Sequence, residues 1–227
     1  MGTWSSYSLS DFLLFSPQVY QRMFVLNNED LWPLQPVVLG VAALVFMAVA
    51  RGAPWSGRAL LVLLGAAWLA IGGVFFPGRY QAINWLGSSF AAVAGLEGVL
   101  LILLAFMGRL RLIDRRENRF VSGLGMVLLA AGLVAYPLLD LATGSPVRGA
   151  QVFAITPDPT AIASLAGLAL VDGRMRFVAA IIPLLWMSFT ALTLWTLGLG
   201  EVLAAVAFLA FAVIAVAWPR AVRSTGR

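Results

Sequence analysis

The sequence predicts an all-α integral membrane protein that folds as a helical bundle of about seven spans. Of its 227 residues, 61% are apolar and only 11% are charged, whereas soluble domains carry roughly 25% charged residues. The mean hydropathy is +0.93. A chain with so little charge can keep this much apolar surface from water only by facing lipid. This composition excludes soluble, disordered and disulfide-rich proteins.

Six long apolar runs and one short run mark the spans, since a bilayer core of about 30 Å requires about 20 apolar residues per helix. The long runs lie near residues 34–50, 58–76, 82–107, 120–142, 177–197 and 202–218. The short run, residues 160–171, lies between the fourth and the fifth of these. Its length alone leaves open whether it crosses the membrane fully or is re-entrant.

The positions of the 15 arginines favour a full crossing. If the short run crosses, one side of the membrane holds 12 arginines and the other holds only Arg22, Arg79 and Arg148. If it is re-entrant, the division becomes 7 against 8. Because cytoplasmic loops carry the excess of positive charge, the first division predicts an outer N-terminus and a cytoplasmic C-terminus.

Tryptophans fit the same arrangement, because interfacial belts collect at both ends of the spans. Trp32, Trp85 and Trp195 fall at predicted outer ends, and Trp55 and Trp218 fall at inner ends. Trp68 and Trp186 fall in the middle of spans, so we expect them to pack between helices.

The chain divides into three parts by composition. Residues 1–31 form an outer amphipathic segment, residues 32–219 form the transmembrane bundle, and residues 220–227 form a basic cytoplasmic tail. In the first part, Ser16 is a suitable N-cap before Pro17 at the first helical position. Apolar and amide side chains then recur at helical spacing at Tyr20, Met23, Phe24 and Asn27. This pattern predicts a helix lying on the outer face, as a lid over a cavity or as a surface anchor.

Four stretches carry a resemblance to a known family. They are Trp4, Tyr7, residues 11–17 and Tyr20-x-Arg22; Trp32-Pro33; Arg79-Tyr80-x-x-Ile83-Asn84-Trp85; and Ile155-Thr156-Pro157-Asp158-Pro159-Thr160. In these stretches the chain resembles a family of uncharacterised bacterial membrane proteins. The resemblance implies a multi-pass protein of the bacterial inner membrane and no particular activity. Members of that family often carry Cys where this chain has Asp158, which argues against metal or thiol chemistry at that position.

The missing residue types exclude most cofactors. The chain contains no Cys, no His and no Lys. It therefore lacks the usual ligands of haem, iron–sulfur clusters, zinc and copper, and it lacks the lysine of Schiff bases and phosphate loops. We predict no cofactor, no metal site and no catalytic residue of these kinds. No nucleic-acid motif accompanies the arginines.

The stretch from Thr156 to Thr160 is the most informative local motif. Asp158 is placed to cap a helix whose first residue is Pro159. That helix offers about a dozen apolar residues, roughly 18 Å, which is too short to cross alone. Residues 151–158 must then complete the crossing in non-helical form. Broken helices of this kind hold substrate sites in many transporters, although a packed kink would produce the same pattern.

Glu97 is the one charged residue deep within a predicted span. It lies about a dozen residues from Arg109, roughly at the middle of the bilayer. An intramembrane carboxyl group is costly and indicates function by default. It could carry a proton or bind a cation, or it could simply bond a neighbouring backbone carbonyl.

Three further polar residues lie towards the outer side. Arg79 and Asn84 lie between the second and third long runs, and Asp140 lies near the outer end of the fourth. They could receive an anionic or hydrogen-bonding solute, or Arg79 could serve as an interfacial anchor.

These observations support three functional hypotheses. The leading one is a small-solute or ion permease, with a polar outer cavity formed by Arg79, Asn84, Asp140 and Asp158, and with Glu97 as the buried carboxylate. The second is a non-catalytic subunit or scaffold that binds a protein partner through the N-terminal segment or the loop from Arg109 to Arg119. The third is an intramembrane enzyme that uses carboxylates, for which Asp140 and Glu201 are candidates.

Overall fold

The protein is an α-helical bundle with one two-stranded sheet, which confirms the predicted fold class. The computed structural model describes residues 15–108, 110–114, 116–142 and 147–219. The helices, in chain order, are α1 (Pro17–Asp30), α2 (Leu34–Ala50), α3 (Ser56–Ala70), α4 (Phe76–Gly78), α5 (Gly87–Met107), α6 (Arg119–Ala130), α7 (Tyr136–Ala142), α8 (Pro157–Ala169), α9 (Met175–Ala179), α10 (Ile181–Leu197) and α11 (Val202–Ala217). The strands are β1 (Arg111–Leu112) and β2 (Val171–Asp172). The predicted tail 220–227 and the part of the N-terminal segment before Phe15 lie outside the described residues.

Helix α1 begins as predicted, with Pro17 first and the hydroxyl of Ser16 accepting a hydrogen bond from the Val19 amide at 3.4 Å. It meets α2 at 87°, so it lies across the end of the bundle. Its buried residues are Tyr20, Met23, Phe24, Val25 and Asn27. The helical spacing read from the sequence therefore identifies the face that packs on the bundle.

Two helices contain a π-helical turn immediately before an aromatic–proline pair. Ile71–Phe75 joins α3 to α4 ahead of Pro77, and Ala131–Ala135 joins α6 to α7 ahead of Pro137. Proline has no N–H for the carbonyl four residues earlier, and its ring crowds that carbonyl, so the helix widens locally. Both helices nevertheless continue past the widening.

The third long span begins later than predicted, at Gly87 rather than near residue 82. Residues 80–82 form a single 3₁₀ turn. The side-chain oxygen of Asn84 then accepts a hydrogen bond from the Leu86 amide at 3.0 Å. Such a local side-chain bond competes with helix formation and delays the start of the helix.

The short apolar run becomes the centre of the bundle. All 13 residues of α8 are buried, and α8 packs against α3, α6, α10 and α11. Small residues permit this enclosure: a Cβ on Gly132 would lie 2.6 Å from the Ala163 nitrogen, so the two backbones are in close contact. Helix α8 therefore contacts protein on all sides.

The two ends of the bundle differ in structure. At one end, the Asn27 side chain of α1 donates to the carbonyl of Ile155, just before α8, at 3.4 Å. At the other end, β1 pairs with β2 in antiparallel register, with Arg111 opposite Asp172. We call these the α1 end and the sheet end.

The chain runs between the two ends seven times, along α2, α3, α5, α6–α7, α8, α9–α10 and α11. Within the described residues, four helical stretches are long and apolar enough to cross a membrane: Ser56–Ala82, Gly87–Met107, Arg119–Ala142 and Met175–Leu197. The bent pair α1 and α2 would make a fifth. The number of seven membrane spans and their orientation stay predictions.

The tryptophans divide as expected. Trp68 and Trp186 are 1% and 7% exposed, which confirms that they pack between helices. The other five described tryptophans are exposed at the helix ends: Trp32, Trp55, Trp85, Trp195 and Trp218.

We expect Gly98→Ala to destabilise the bundle and Gly95→Ala to be tolerated. A Cβ on Gly98 would lie 2.7 Å from the carbonyl oxygen of Gly65 and 2.7 Å from Leu69, whereas one on Gly95 would meet nothing within 4 Å. Overpacking costs about 1–3 kcal/mol, so Gly98→Ala should lower the Tm in detergent. Equal Tm values for the two variants would contradict the close packing of α3 on α5.

Candidate functional site

The non-helical segment before α8 is buried, and α1 supplies partners for its backbone. The Asn28 side chain donates to the carbonyls of Arg148 and Ala150 at 2.9 and 2.8 Å, in addition to the bond from Asn27 to Ile155. Non-helical backbone at membrane depth is tolerated only where it is buried in protein or lines a cavity. Helix α1 therefore covers the break before α8 and supplies hydrogen-bond donors to its backbone carbonyls.

Helix α8 begins two residues earlier than predicted, at Pro157 rather than Pro159, and the assignment of Asp158 as its N-cap is wrong. The N-cap is Thr156, which has extended backbone angles, and Pro157 is the first helical residue. Asp158 lies in the first turn, where a carboxylate also interacts favourably with the helix dipole. Pro157 and Pro159 flank Asp158. Both lie in the first turn of α8, where proline is tolerated because the first N–H groups of a helix have no helical partner.

Asp158 is 1% exposed and receives two hydrogen bonds from α10. The indole nitrogen of Trp186 and the hydroxyl of Thr190 donate to its Oδ1 at 2.7 and 2.8 Å. Its other oxygen, Oδ2, has no partner within hydrogen-bond distance among the described residues. Tyr136 and Gln151 lie close enough to interact with this carboxylate electrostatically. Both hydrogen bonds at Oδ1 of Asp158 therefore come from α10, while Tyr136 of α7 and Gln151 of the break lie beside the carboxylate.

Asp140 and Gln151 form a second buried polar pair beside it. The Gln151 backbone amide donates to Oδ2 of Asp140 at 2.6 Å. Asp140 is 5% exposed and Gln151 is 8% exposed. The side-chain oxygen of Gln151 has no partner among the described residues. This pair joins the end of α7 to the break before α8.

A small cavity of about 30 Å³ lies at the α1 end next to these groups. Since one water needs roughly 10–15 Å³ of such volume, the cavity holds one or two water-sized occupants. Its charged lining residues, Asp140 and Glu201, are both acidic. The complete lining is Tyr20, Gln21, Phe24, Tyr136, Asp140, Gly149, Gln151, Leu194, Leu199 and Glu201.

Thr156 and Thr160 bond the backbone around the break. The Thr160 hydroxyl accepts from the Ala154 amide at 2.8 Å and donates to the Thr156 carbonyl at 2.9 Å. Ala154 has a φ of +61°, a conformation that is costly for a residue with a side chain. The Thr156 hydroxyl donates to the carbonyl of Val152 at 3.1 Å. Both threonines are fully buried and fix the geometry of the break.

Glu97 is fully buried and lies apart from the cavity. Neither of its carboxyl oxygens has a hydrogen-bond partner among the described residues. Its neighbours on α5 fix its depth, because Gly98 packs on Gly65, and a Cβ on Gly72 would lie 3.2 Å from the Gly95 nitrogen. Trp68 lies about midway between Gly65 and Gly72 along the chain, and Glu97 lies between Gly95 and Gly98. Glu97 is therefore at about the depth of Trp68. There, the Trp68 indole donates to the hydroxyl of Ser164 on α8 at 2.9 Å.

Of the four residues predicted to form the outer cavity, only Asp140 lines it; Asp158 lies behind Tyr136 and Gln151, and Arg79 and Asn84 lie elsewhere. Arg79 forms an ion pair with Asp30, at the end of α1. The Asn84 side chain bonds Tyr80 and the Leu86 backbone within its own turn. Each side chain therefore has a nearer partner, and neither lines the cavity.

Several residues of the site were not expected from the sequence. They are Tyr20 and Gln21 from α1, Tyr136 from α7, Gln151 from the break, and Trp186 and Thr190 from α10. The spacing of Tyr136 and Asp140, four residues apart, was a usable signal, since such residues share a helix face. No local pattern in the sequence predicts the contacts of α8 with α10, because Asp158 lies 28 and 32 residues from Trp186 and Thr190.

Metal binding finds no support in the part of the chain that the structure describes. No group of three or more aspartate or glutamate side chains there is close enough to hold a metal ion. The acidic residues of the site are instead separated by tyrosine and amide side chains.

Comparison with known proteins gives a family. The chain matches, over residues 18–223, the model of a family described as "Family of unknown function (DUF6064)". The chain therefore belongs to this family, which confirms the predicted resemblance to an uncharacterised family.

One curated relative is an apolipoprotein N-acyltransferase from Ralstonia nicotianae, with 28% identity over 149 residues. The match covers 57% of this chain and 28% of the acyltransferase, so the chain spans less than a third of that relative's length. No solved structure matches the chain significantly.

We expect Trp186→Phe to lower stability more than Trp195→Phe on the same helix. Trp186 donates to a buried carboxylate, whereas Trp195 is 70% exposed. A hydrogen bond to a charged group contributes about 1.5–3 kcal/mol, so the loss should appear as a lower Tm in detergent.

The double variant Trp186→Phe/Asp158→Asn provides the control for this contact. Removing the carboxylate should reduce the cost of losing the indole donor, because interacting residues are not additive. Additive changes in Tm would show that the two side chains do not interact.

Proposed function

We propose that this member of a family of unknown function is a membrane permease for a small cation or for protons. Its entrance is the polar cavity at the α1 end. The observation that supports the proposal best is Asp158: a buried carboxylate with one unpartnered oxygen, next to a break in a central helix. Broken helices with exposed backbone and polar groups are where transporters bind solutes and ions.

The size and the charge of the cavity support an ion over a larger solute. A volume of about 30 Å³ admits one or two water-sized occupants. Asp140 and Glu201 line it, and no arginine does. Two acidic groups without a basic neighbour favour a cation. Divalent metal ions usually take six or more oxygen ligands, so the sparse carboxylates favour a proton or a monovalent cation.

Glu97 is the proposed second carboxyl group on the ion pathway, at the middle of the bundle. A row of buried polar side chains leads towards its depth: Thr160 and Ser164 lie four residues apart on α8, and Trp68 bonds the latter. Intramembrane carboxyl groups that face a bundle interior mark ion and proton pathways. In this proposal Asp158 receives the ion and Glu97 couples its passage.

An intramembrane enzyme is the second candidate, because Asp140 and Glu201 line the same cavity. The acyltransferase relative is named for acyl transfer. The chain offers no Cys, His or Lys for such chemistry, so carboxylates would have to act alone. The third candidate, a scaffold subunit, requires a stable protein partner and no role for Asp158.

Flux into proteoliposomes tests the permease directly. Purified protein is reconstituted, and uptake of protons, Na⁺ and K⁺ is followed in the wild type, Asp158→Asn and Glu97→Gln. Glu29→Gln is the matched control, because Glu29 is an exposed acid at the same end. We expect flux of one of the three ions to fall by about tenfold or more in the two site variants, since the loss of a charged hydrogen-bond partner changes a free energy by about 1.5–3 kcal/mol.

Unchanged flux in both Asp158→Asn and Glu97→Gln would overturn the assignment, as would a wild type that transports none of the three ions. A Tm measurement for each variant separates loss of flux from loss of folding.

The proposed orientation places the α1 end outside the cytoplasmic membrane of a bacterial cell and the sheet end in the cytoplasm. Because the chain has no Cys, single-cysteine variants report position without background. Gln81→Cys lies at the α1 end and Trp55→Cys at the sheet end, and both residues are exposed. We expect a membrane-impermeant maleimide to label Gln81→Cys in intact cells and Trp55→Cys only after lysis. The reverse pattern would invert the topology.

A further inference from the structure

An open apolar groove of about 540 Å³ lies between α1 and the chain that follows α4. We call it the α1 groove. Its lining residues are Gln18, Val19, Arg22, Met23, Leu26, Gly78, Arg79, Ala82 and Ile83. Most of this lining is carbon, and the groove is far larger than the cavity beside Asp140. It is therefore suited to an elongated apolar ligand.

Two guanidinium groups stand at the groove, and they differ in their partners. Arg79 is paired with Asp30. Arg22 is exposed and forms no ion pair with any described residue. Unpaired arginine beside apolar surface is suited to a phosphate group, because guanidinium binds phosphate through parallel hydrogen bonds.

The direction of α1 places this groove at headgroup level. Helix α1 lies at 87° to α2, which runs along the bundle, so α1 lies in the plane of the membrane surface. Amphipathic helices in that position bury their apolar face at the boundary between headgroups and acyl chains. The exposed Trp85, close to the groove in sequence, is typical of the same level.

We propose that the α1 groove binds one anionic phospholipid, with an acyl chain along Met23, Leu26 and Ile83 and with the phosphate at Arg22. This site is separate from the cavity next to Asp158 and does not depend on the permease proposal. Charge complementarity at Arg22 favours an anionic lipid over a zwitterionic one.

Native mass spectrometry of the full chain, released from detergent with added phosphatidylglycerol or phosphatidylcholine, tests the site. We expect the wild type to retain phosphatidylglycerol preferentially. Arg22→Gln should lower that retention by about tenfold, and Arg22→Lys should restore part of it. Ala82→Phe, which fills the groove from an exposed position, should lower the retention of both lipids.

Arg148→Gln is the matched control, because Arg148 is an exposed arginine at the same end that pairs with Glu29 outside the groove. It should retain phosphatidylglycerol as the wild type does. Equal retention of the two lipids by the wild type would overturn the proposal. Wild-type retention in Arg22→Gln, or in Ala82→Phe with an unchanged Tm, would also overturn it, the latter by showing that lipid binds elsewhere.

Discussion

The enclosure of α8 is the constraint on which the rest of the structure depends. A helix of 13 residues is too short for the bundle that surrounds it, so the chain before it must complete the distance without helical hydrogen bonds. In a low-dielectric interior those backbone groups need other partners. Asn27 and Asn28 of α1 supply some, Thr160 supplies another, and Asp140 accepts one from Gln151. The position of α1 and the polar groups of the site both follow from this requirement.

The site differs from an ordinary packed kink in what it leaves unsatisfied. A kink that served stability alone would pair its buried polar atoms, because an unpaired buried group costs about 1–3 kcal/mol. Here one oxygen of Asp158 and the side-chain oxygen of Gln151 have no partner among the described residues, and Gln151 lines the cavity. Because Gln151 also lies close to Asp158, the two unpaired oxygens belong to one polar cluster that reaches the cavity. This is why the site, rather than the break alone, supports a function.

Sequence reasoning succeeds here where the signal is local. The N-cap at Ser16, the buried face of α1 and the extents of α2 and α11 follow from spacing and apolar length. It fails where a partner is distant in the chain. The sequence predicts Arg79 and Asn84 in the cavity because they share its end of the bundle, but each side chain has a closer partner. Likewise Trp186 meets Asp158 across 28 residues, a contact that only helix packing determines.

Access to the cavity must involve α1 rather than α8. Two indoles hold α8 from different helices, Trp68 at Ser164 and Trp186 at Asp158, so its rotation is fixed near both ends of its polar row. Helix α1, in contrast, contributes Tyr20, Gln21 and Phe24 to the cavity lining and is held by side-chain amides and surface ion pairs. Helix α1 packs on the bundle through one face only, whereas every residue of α8 is buried, and less enclosed elements open at lower free energy. In the proposed permease, a cation would therefore reach Asp158 by displacement of α1.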